Sequence, residues 1–387
     1  MKSKVSVSGS YKKEFSSVFD MFKNNINEEI DLGSSYAVYK DGVCIIDIYG
    51  GYKDRKKNFL WNKNTILNVY SVSKGLLAIC ISILVERNLI NIDKSLSYYS
   101  PIFKVGSKND VTLRSILLHQ SGLFGWKKKL TTSDLYNSSY CLELIASQDP
   151  FHDPGQETCY HVTTIGFLLG EIIFQITNKT VGQFLYDEIS KPFKYDCHLG
   201  TSIKRKKDIS ELAELNNKEQ FITPSVSSKK NDKYRKIFSN PEMPSIYEIS
   251  KSKQWITSEI PSSNIHSNAS SLAKIYDKFV NVNGKPNSLI SEETLQRIIN
   301  EETHSMDYVL RLPMKRSAFG FILDGGKLFG NSKKAFGHTG WGGSVAFADP
   351  DKKLGIAYIT NTMSDSLIGD ARAVNLVSET YKVFEAN

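Results

Sequence analysis

The sequence predicts an α+β fold in which an antiparallel sheet, built from both ends of the chain, is flanked by helices. Strand-like runs with turn signals occur near both ends, whereas the middle contains apolar helical segments and polar loops. With 387 residues, 40% of them hydrophobic, the chain can bury a large core. We therefore expect a sheet domain at residues 1–75 plus 260–387 and a mainly helical domain with long polar loops at 76–259.

The predicted helices are segments in which apolar residues recur every three to four positions. In the first of them, Phe15, Phe19 and Phe22 share one face. The most apolar of them follows Ser71 and lacks proline. The predicted helices are Tyr11–Glu28, Leu76–Leu84, Leu142–Ala146, Thr163–Thr177, Leu272–Phe279, Ser291–Ile299 and Ala371–Phe384.

The predicted strands are short, β-prone runs bounded by turn residues. The turn signal Lys40-Asp41-Gly42 joins the first two strands into a hairpin, which we expect to end at Gly50-Gly51. Near the other end, Asp324-Gly325-Gly326 and Asp349-Pro350-Asp351 separate the strands. The predicted strands are Tyr36–Tyr39, Val43–Tyr49, Ile66–Tyr70, Phe319–Leu323, Lys327–Phe329, Gly343–Ala348 and Leu354–Thr360.

Lys204–Ile256 is a polar stretch rich in lysine, asparagine and serine, and it contains Pro224, Pro241 and Pro244. We expect long surface excursions here, not a separate domain. The formal net charge of the chain is +8, but the lysines are scattered, and in this stretch they alternate with acidic residues. The charge pattern therefore predicts a solvated surface and no nucleic-acid partner.

The cysteines and the hydropathy pattern indicate a cytoplasmic protein. The five cysteines are scattered and form no C-x-x-C pair, which is typical of free thiols in a reducing compartment. Met1–Phe15 carries lysines but no apolar core like that of a signal peptide. No apolar run reaches the length of a membrane span, so we expect no membrane partner.

A candidate nucleophile lies at the start of the most apolar helix, in Ser71-Val72-Ser73-Lys74. Lys74 returns to the face of Ser71 about one helical turn later. An ammonium group held in a dry pocket can lose its proton and act as a base toward a neighbouring hydroxyl. Backbone amides at a helix start also favour an oxyanion. These features suit nucleophilic attack by Ser71.

The S-x-x-K pattern alone does not establish a nucleophile. Ser71 could equally be a helix N-cap and Lys74 a solvated first-turn lysine. The position of Ser71 before a helix does not distinguish a nucleophile from an N-cap, because Ser271 also opens a helix-like segment. The pattern occurs elsewhere at Ser10/Lys13, Ser227/Lys230, Ser250/Lys253 and Ser271/Lys274.

Four further stretches resemble, in order, motifs of one enzyme superfamily. They are Thr112–Leu123, similar to T-I-x-x-L-L-x-H-x-S-G-L; Pro154–Tyr160, similar to P-G-x-x-x-x-Y; Asp196–Gly200, similar to D-x-H-x-G; and Gly337–Ser344, similar to a K-T-G or H-T-G strand. The superfamily is that of the serine β-lactamases and penicillin-binding proteins. The chain most resembles its class C branch and the family VIII carboxylesterases, and this implies a β-lactamase-like fold over most of the chain.

The resemblance also implies catalytic roles. Ser71 would be the nucleophile, and Lys74 and Tyr160 would share the proton transfers, with either one as the acylation base. We favour Lys74, because His338 stands where many family members have lysine, and a histidine is less reliably charged than a lysine. The amides of Ser71 and Trp341 would bind the oxyanion.

Other residues of these motifs have implied binding or structural roles. His338, Gly340 and Gly342 would bind substrate, with the glycines allowing its close approach to the backbone. His119 and His198, from the first and third stretches, are expected to be structural.

The implied substrate is a small-molecule ester. Family β-lactamases have asparagine two residues after the tyrosine, where this chain has Val162, and His338 replaces the lysine that would fix a β-lactam carboxylate. Phe124 and Trp126, with Val162, are candidates for lining an apolar cleft suited to short acyl chains. We therefore expect a carboxylesterase of short-chain or small esters.

Two alternatives remain at this stage. One is a β-lactamase or an amidase of the D-aminopeptidase or DD-peptidase kind, and the other is a non-catalytic scaffold of the same fold. The sequence contains no H-E-x-x-H zinc pattern, Walker loop or G-x-G-x-x-G, so we expect no metal and no cofactor. A homo-oligomer is left open.

Overall fold

The fold is organised around a sheet of nine strands in which every neighbouring pair is antiparallel. The computed structural model describes residues 6–104, 107–214, 232–243, 245–282, 288–323, 326 and 328–386. The strands in these residues are β1 Val7–Tyr11, β2 Gly33–Lys40, β3 Val43–Gly51, β4 Leu67–Asn68, β5 Cys197–His198, β6 Ala213–Glu214, β7 His266–Ser267, β8 Glu301–Asp307, β9 Leu312–Ser317, β10 Ile322–Leu323, β11 Phe336–Thr339, β12 Val345–Asp349, β13 Leu354–Thr360 and β14 Thr362–Met363.

The large sheet takes its strands from both ends of the chain, and the predicted α+β fold is confirmed. Its strand order is β1-β3-β2-β13-β12-β11-β10-β9-β8. The two ends meet where β2 pairs with β13, with Tyr36 opposite Tyr358. Two smaller sheets have the orders β4-β7-β5 and β6-β14. The division into a sheet domain and an inserted helical domain stays a prediction.

Helices cover both faces of the large sheet. Side chains alternate along β13, so Ala357 and Ile359 join one core, whereas Ile356 and Tyr358 join the other. The helices are α1 Ser16–Asn27, α2 Val72–Glu86, α3 Leu96–Tyr99, α4 Leu113–Leu117, α5 Ser138–Ser147, α6 Thr164–Thr177, α7 Val181–Leu185, α8 Lys191–Phe193, α9 Lys233–Phe238, α10 Ile246–Lys251, α11 Lys253–Thr257, α12 Ala269–Val280, α13 Glu292–Ile299 and α14 Ala371–Ala386.

The two cores contain different helices. The first core includes side chains of α2, α6 and α12, and the second includes side chains of α1 and α14. Every residue of α2 from Val72 to Val85 is buried, which explains why this helix is apolar on all sides. Such a helix is held by contacts around its whole circumference, and its first turn is placed rigidly.

Three strands of the large sheet, β1, β8 and β9, were not predicted from the sequence, and neither were the two-residue strands β5, β6, β7 and β14 of the smaller sheets. The edge strands β1 and β8 lie at the two margins of the sheet and are rich in polar residues, so no apolar alternation marks them. The predicted first helix is shorter than expected, because Tyr11 ends β1 and regular α-helix begins at Ser16. The expected break at Gly50-Gly51 is absent, and both glycines close β3.

One strand predicted near the other end is not confirmed. Leu328 and Phe329 are not in a strand, and Lys327 lies outside the described residues. The turn predicted at Asp324-Gly325-Gly326 lies outside them except for Gly326.

The polar stretch 204–256 contains more order than expected where it is described. It includes the short helices α9 and α10 and most of α11, and Trp255 and Ile256 are buried. Residues 215–231 and 244 lie outside the described residues. Across the described ranges, no helix is both long and apolar enough to cross a bilayer.

Replacing Gly75 with alanine should destabilise the fold. A Cβ at Gly75 would lie 2.1 Å from the Tyr276 hydroxyl oxygen, and Tyr276 is fully buried. Overpacking of this kind costs about 1–3 kcal/mol. The control is Gly170→Ala in α6, where the nearest atom is a Val181 methyl carbon at 3.2 Å. Urea unfolding should show a clear loss for Gly75→Ala and a smaller change for Gly170→Ala, and equal stabilities would contradict the packing described here.

Candidate active site

Ser71 lies immediately before α2, where the chain turns from β4 into the helix. Tyr70 has a φ of +45°, in the left-handed region that residues other than glycine seldom adopt. Amide hydrogen bonds from Val72 to the Val69 carbonyl (3.2 Å) and from Ser73 to the Tyr70 carbonyl (2.9 Å) hold this bend. The Ser71 side chain makes no capping hydrogen bond with the helix. Its hydroxyl is therefore not used as an N-cap.

Lys74 is buried, with 4% of its surface exposed, and it contacts Ser71. Its Nζ lies 3.1 Å from Ser71 Oγ, 2.7 Å from the Val162 carbonyl oxygen and 3.2 Å from the Ser262 carbonyl oxygen. A neutral amine has two N–H groups and one lone pair. The two carbonyls can accept the two N–H groups, which leaves the lone pair for the Ser71 hydroxyl.

The surroundings of Lys74 favour its neutral form. Burial lowers the pKa of Lys74 well below its ordinary value, because the ammonium group loses its hydration, and the positive charge of Arg316 lowers it further. Arg316 is 1% exposed and pairs with the buried Asp307 at 2.8 Å. Lys74 therefore gives up its proton more readily than a lysine in water.

Tyr160 is the third member of the group. Lys74 Nζ lies 4.8 Å from the centre of its ring, and its backbone amide donates to Asp307 Oδ1 at 3.2 Å. Burial raises the pKa of the Tyr160 phenol, and a hydrogen bond with Ser71 and the charge of Arg316 oppose that rise. Burial thus favours the protonated form of the phenol.

His338, on β11, packs beside the start of α2. Its Cβ lies 3.3 Å from where a Cβ at Gly75 would be. Burial lowers the pKa of His338 to about 3, and the charge of Lys74 acts in the same direction. Its Nδ1 lies 2.7 Å from the Thr339 carbonyl oxygen and can donate to it. His338 is therefore uncharged near neutral pH.

The turn after β11 approaches the backbone before Ser71 closely. A Cβ on Gly340 would lie 2.3 Å from the Val69 carbonyl oxygen, so glycine is needed there. The ring of Trp341 packs edge-to-face on Tyr70, with centroids 5.3 Å apart. Among the described residues, the amides of Ser71 and Trp341 have no hydrogen-bond acceptor. Both amides are therefore available to donate a hydrogen bond to a ligand.

A buried arginine supports this turn from the other side. Arg372, in α14, donates to the Gly342 carbonyl at 2.9 Å and to the Thr362 carbonyl at 2.8 Å. It also pairs with Asp31 at 2.9 Å and with Asp370 at 2.8 Å. Gly342 has a φ of +91°, and the hydrogen bond from Arg372 helps to hold this conformation.

Two further histidines lie close to Tyr160 and are uncharged. The His119 ring is 5.0 Å from the Tyr160 ring, and its Nδ1 accepts the His161 amide at 2.9 Å. His161 Nδ1 lies 2.7 Å from the Cys159 carbonyl oxygen, and its Nε2 lies 2.6 Å from Ser121 Oγ. Burial lowers the pKa of both rings, that of His161 to about 3. These contacts give both histidines a structural use.

The residues proposed to line a cleft do not form one group. Trp126 is 2% exposed and donates its indole N–H to the Cys141 carbonyl at 3.1 Å, so it lies in the core. Phe124 is 4% exposed and packs on Phe151 with ring centroids 5.0 Å apart. Val162 is half-buried and takes part in the site through its carbonyl oxygen.

Sequence reasoning missed Arg316, Asp307 and Ser262. Arg316 and Asp307 belong to β9 and β8, which carry no apolar alternation that would mark them as strands. Ser262 contributes a backbone carbonyl, which any residue type could supply. A signal for it existed, because Pro261–Ala269 resembles a family segment near the site.

One group of described side chains could hold a metal ion, and the expectation of no metal stays a prediction. Ligand atoms of His152, Glu157 and Cys159 all lie within 4.8 Å of one another. Their order in the sequence matches no common zinc pattern, which is why it was not noticed. Ser71, Lys74 and Tyr160 are not part of the group.

Comparisons with known proteins confirm the family resemblance. The model of the beta-lactamase family matches residues 22–379. The chain is 26% identical over 350 residues to Esterase/beta-lactamase LipL of Mycobacterium tuberculosis, covering 87% of this chain and 78% of that protein. A crystal structure of a family VIII carboxylesterase matches with a TM-score of 0.88 and 28% identity, over 98% of this chain and 100% of that one. The structure of a penicillin-binding protein homologue from Caulobacter crescentus matches with a TM-score of 0.86 and 28% identity, over 98% of this chain and 100% of that one.

Replacing Lys74 with methionine should reveal the lowered pKa of Lys74. The unfolded chain binds a proton at this lysine that the folded chain binds poorly. The stability of wild type relative to Lys74→Met should therefore rise with pH up to the unfolded pKa of about 10.4, by at most about 1.4 kcal/mol per pH unit. Urea unfolding between about pH 7.5 and 9.5 measures this, with Lys129→Met, at an exposed site, as the control. A difference that does not change with pH would mean that folded Lys74 keeps its proton.

Proposed function

Since the chain belongs to the beta-lactamase family and is a serine hydrolase of that fold, we propose that it hydrolyses short-chain or small carboxylic esters through an acyl-enzyme. The observation that carries this proposal is the 3.1 Å contact between Lys74 Nζ and Ser71 Oγ. The contact joins a hydroxyl at a helix start to an amine whose pKa is lowered by burial. This is the arrangement that activates a serine nucleophile.

In the proposed acylation, Ser71 Oγ attacks the ester carbonyl carbon while Lys74 Nζ takes the hydroxyl proton. The carbonyl oxygen becomes an oxyanion, which the amides of Ser71 and Trp341 stabilise. When the tetrahedral intermediate collapses, the alkoxide leaves with a proton from the Tyr160 hydroxyl. Lys74 then returns its proton to Tyr160, so both groups end as they began.

Deacylation repeats these steps with water. Lys74 takes a proton from a water molecule that attacks the acyl carbon, and Ser71 Oγ leaves with a proton from Tyr160. The products are the free acid and the restored Ser71 hydroxyl. The directions of the pKa shifts support Lys74 as the base and Tyr160 as the acid, since burial favours the neutral amine of Lys74 and the protonated phenol of Tyr160.

Esters are favoured over β-lactams by two features of the site. His338 is uncharged near neutral pH, because burial lowers its pKa to about 3, and a neutral imidazole attracts a substrate carboxylate weakly. Val162 has no hydrogen-bonding group in its side chain to pair with a substrate amide. The name of one similar structure, a family VIII carboxylesterase, supports the same choice, whereas the relative named Esterase/beta-lactamase is consistent with either substrate.

Replacing Ser71 with alanine should abolish hydrolysis of p-nitrophenyl acetate and butyrate. Loss of the nucleophile should lower kcat by at least about a thousandfold. Stability should change little, because the described contact of the Ser71 hydroxyl with Lys74 can be lost without opening a large cavity. A fluorophosphonate probe should label wild type and not Ser71→Ala. Ser271→Ala, at another S-x-x-K pattern, serves as the control and should be labelled. If Ser71→Ala kept most of the turnover, the nucleophile would be wrongly assigned.

p-Nitrophenyl butyrate should be turned over much faster than nitrocefin by one preparation of the protein. A β-lactam would lose the two contacts made elsewhere in the family by the asparagine and the lysine that Val162 and His338 replace. Each contact is worth roughly 1–3 kcal/mol, so kcat/KM for the lactam should be lower than that for the ester by a factor on the order of ten to ten thousand. Turnover of nitrocefin equal to that of the ester would contradict the choice of substrate and favour a β-lactamase. If the wild-type protein turned over neither substrate and was not labelled by the fluorophosphonate probe, a non-catalytic scaffold would be favoured.

A further inference from the structure

The group formed by His152, Glu157 and Cys159 lies just before Tyr160 in the chain and outside the proton-transfer group. Its three ligand atoms lie within 4.8 Å of one another. Cys159 Sγ is 3.7 Å from Glu157 Oε2. Neighbouring ligand atoms of a tetrahedral zinc ion are about 3.5 Å apart, given metal–ligand distances of about 2.0–2.3 Å. The sulfur and the carboxylate are therefore already at a suitable separation.

The His152 ring is oriented as a metal-binding histidine would be. Its Nδ1 lies 2.8 Å from the Asp153 carbonyl oxygen, which can only accept a hydrogen bond, so Nδ1 carries the proton. Nε2 is then left with its lone pair. This atom is buried and has no hydrogen-bond partner among the described residues. A metal-ligating histidine typically donates its other N–H to a carbonyl or carboxylate in this way.

The other two ligands are also held in place. The Tyr234 hydroxyl donates to Glu157 Oε2 at 2.8 Å, and Cys159 is completely buried. Lys233 Nζ lies 3.7 Å from Glu157 Oε1, but its side chain is 65% exposed and is free to move into solvent. A bound cation could therefore take over the charge that Lys233 now offers.

We propose that this group binds one zinc ion through His152 Nε2, a Glu157 carboxylate oxygen and the Cys159 sulfur. Nitrogen, oxygen and sulfur ligands together suit zinc, and a water molecule completes four-coordination. Cys159 ligates as the thiolate, and its proton goes to solvent. The half-buried His152 side chain closes the remaining distance to the other two ligands by rotation.

The metal acts as a structural clamp. None of Ser71, Lys74 and Tyr160 is a ligand, so the ion supplies nothing to the reacting atoms. Cys159 is joined directly to Tyr160, so the clamp stabilises the fold next to this tyrosine against unfolding. The site does not depend on which substrate the enzyme takes, and its failure would leave the esterase proposal untouched.

Titration of the chelator-treated full-length chain with Co²⁺ and with Zn²⁺ tests the site. Co²⁺ should bind with one equivalent per chain and give a thiolate-to-metal charge-transfer band. Zn²⁺ should displace it and raise Tm by at least about 2 °C at saturation. Ester hydrolysis should stay within about twofold after chelation. A loss of activity that zinc restores would overturn the structural role and assign the ion to catalysis.

Variants test the ligands one by one. Cys159→Ser should lose the charge-transfer band, and His152→Gln, at a half-buried side chain that can change without unfolding the chain, should weaken Zn²⁺ binding at least about tenfold. Tyr234→Phe removes the hydroxyl that donates to Glu157 and should weaken binding by about 10–100-fold. Cys44→Ser and His304→Gln are the matched controls and should bind as wild type does. Unchanged affinity in His152→Gln, or a band that persists in Cys159→Ser, would overturn the proposal.

Discussion

The burial of Lys74 is the constraint on which the rest of the site depends. An ammonium group in this position loses its hydration, and its described contacts are with a hydroxyl and two carbonyl oxygens rather than with a carboxylate. The neutral amine is therefore favoured, and its lone pair is directed to Ser71. The rigid packing of α2, which is buried along nearly its whole length, keeps the amine and the hydroxyl at this separation.

The three histidines near Lys74 and Tyr160 carry no charge near neutral pH. His119, His161 and His338 are all driven to the neutral form by burial. The positive charge that acts on Lys74 comes from Arg316, which is held by Asp307. A fixed cation beside groups that exchange protons favours their deprotonated forms, and the lysine and the tyrosine are both affected.

Local signals in the sequence were enough to predict the central elements. The helix after Ser71 is apolar on every side, and β13 is a β-prone run bounded by turn residues, so both were recognisable without contacts. Edge strands such as β8 were not recognisable, because a strand with one free edge does not need an apolar pattern. Arg316 was missed for a related reason. Its charge affects Lys74 and Tyr160 because the fold brings it close to them, and no local sequence pattern predicts that proximity. The motifs pointed to Ser71, Lys74 and Tyr160, whereas the contacts of Lys74 with the carbonyl oxygens of Val162 and Ser262 are visible only in the structure.

The pairing of β2 with β13 joins two parts of the chain that are synthesised at different times. Ser71 leaves the ribosome well before Trp341, and at about 5–20 residues per second the interval is roughly 10–60 s. During that time α2 lacks β11, which packs against it, and the Trp341 amide of the proposed oxyanion site does not yet exist. Contacts between such distant parts of a chain also form slowly. Under the proposed mechanism, ester cleavage therefore begins only after synthesis has passed β13, and a truncated translation product that lacks this strand is inert.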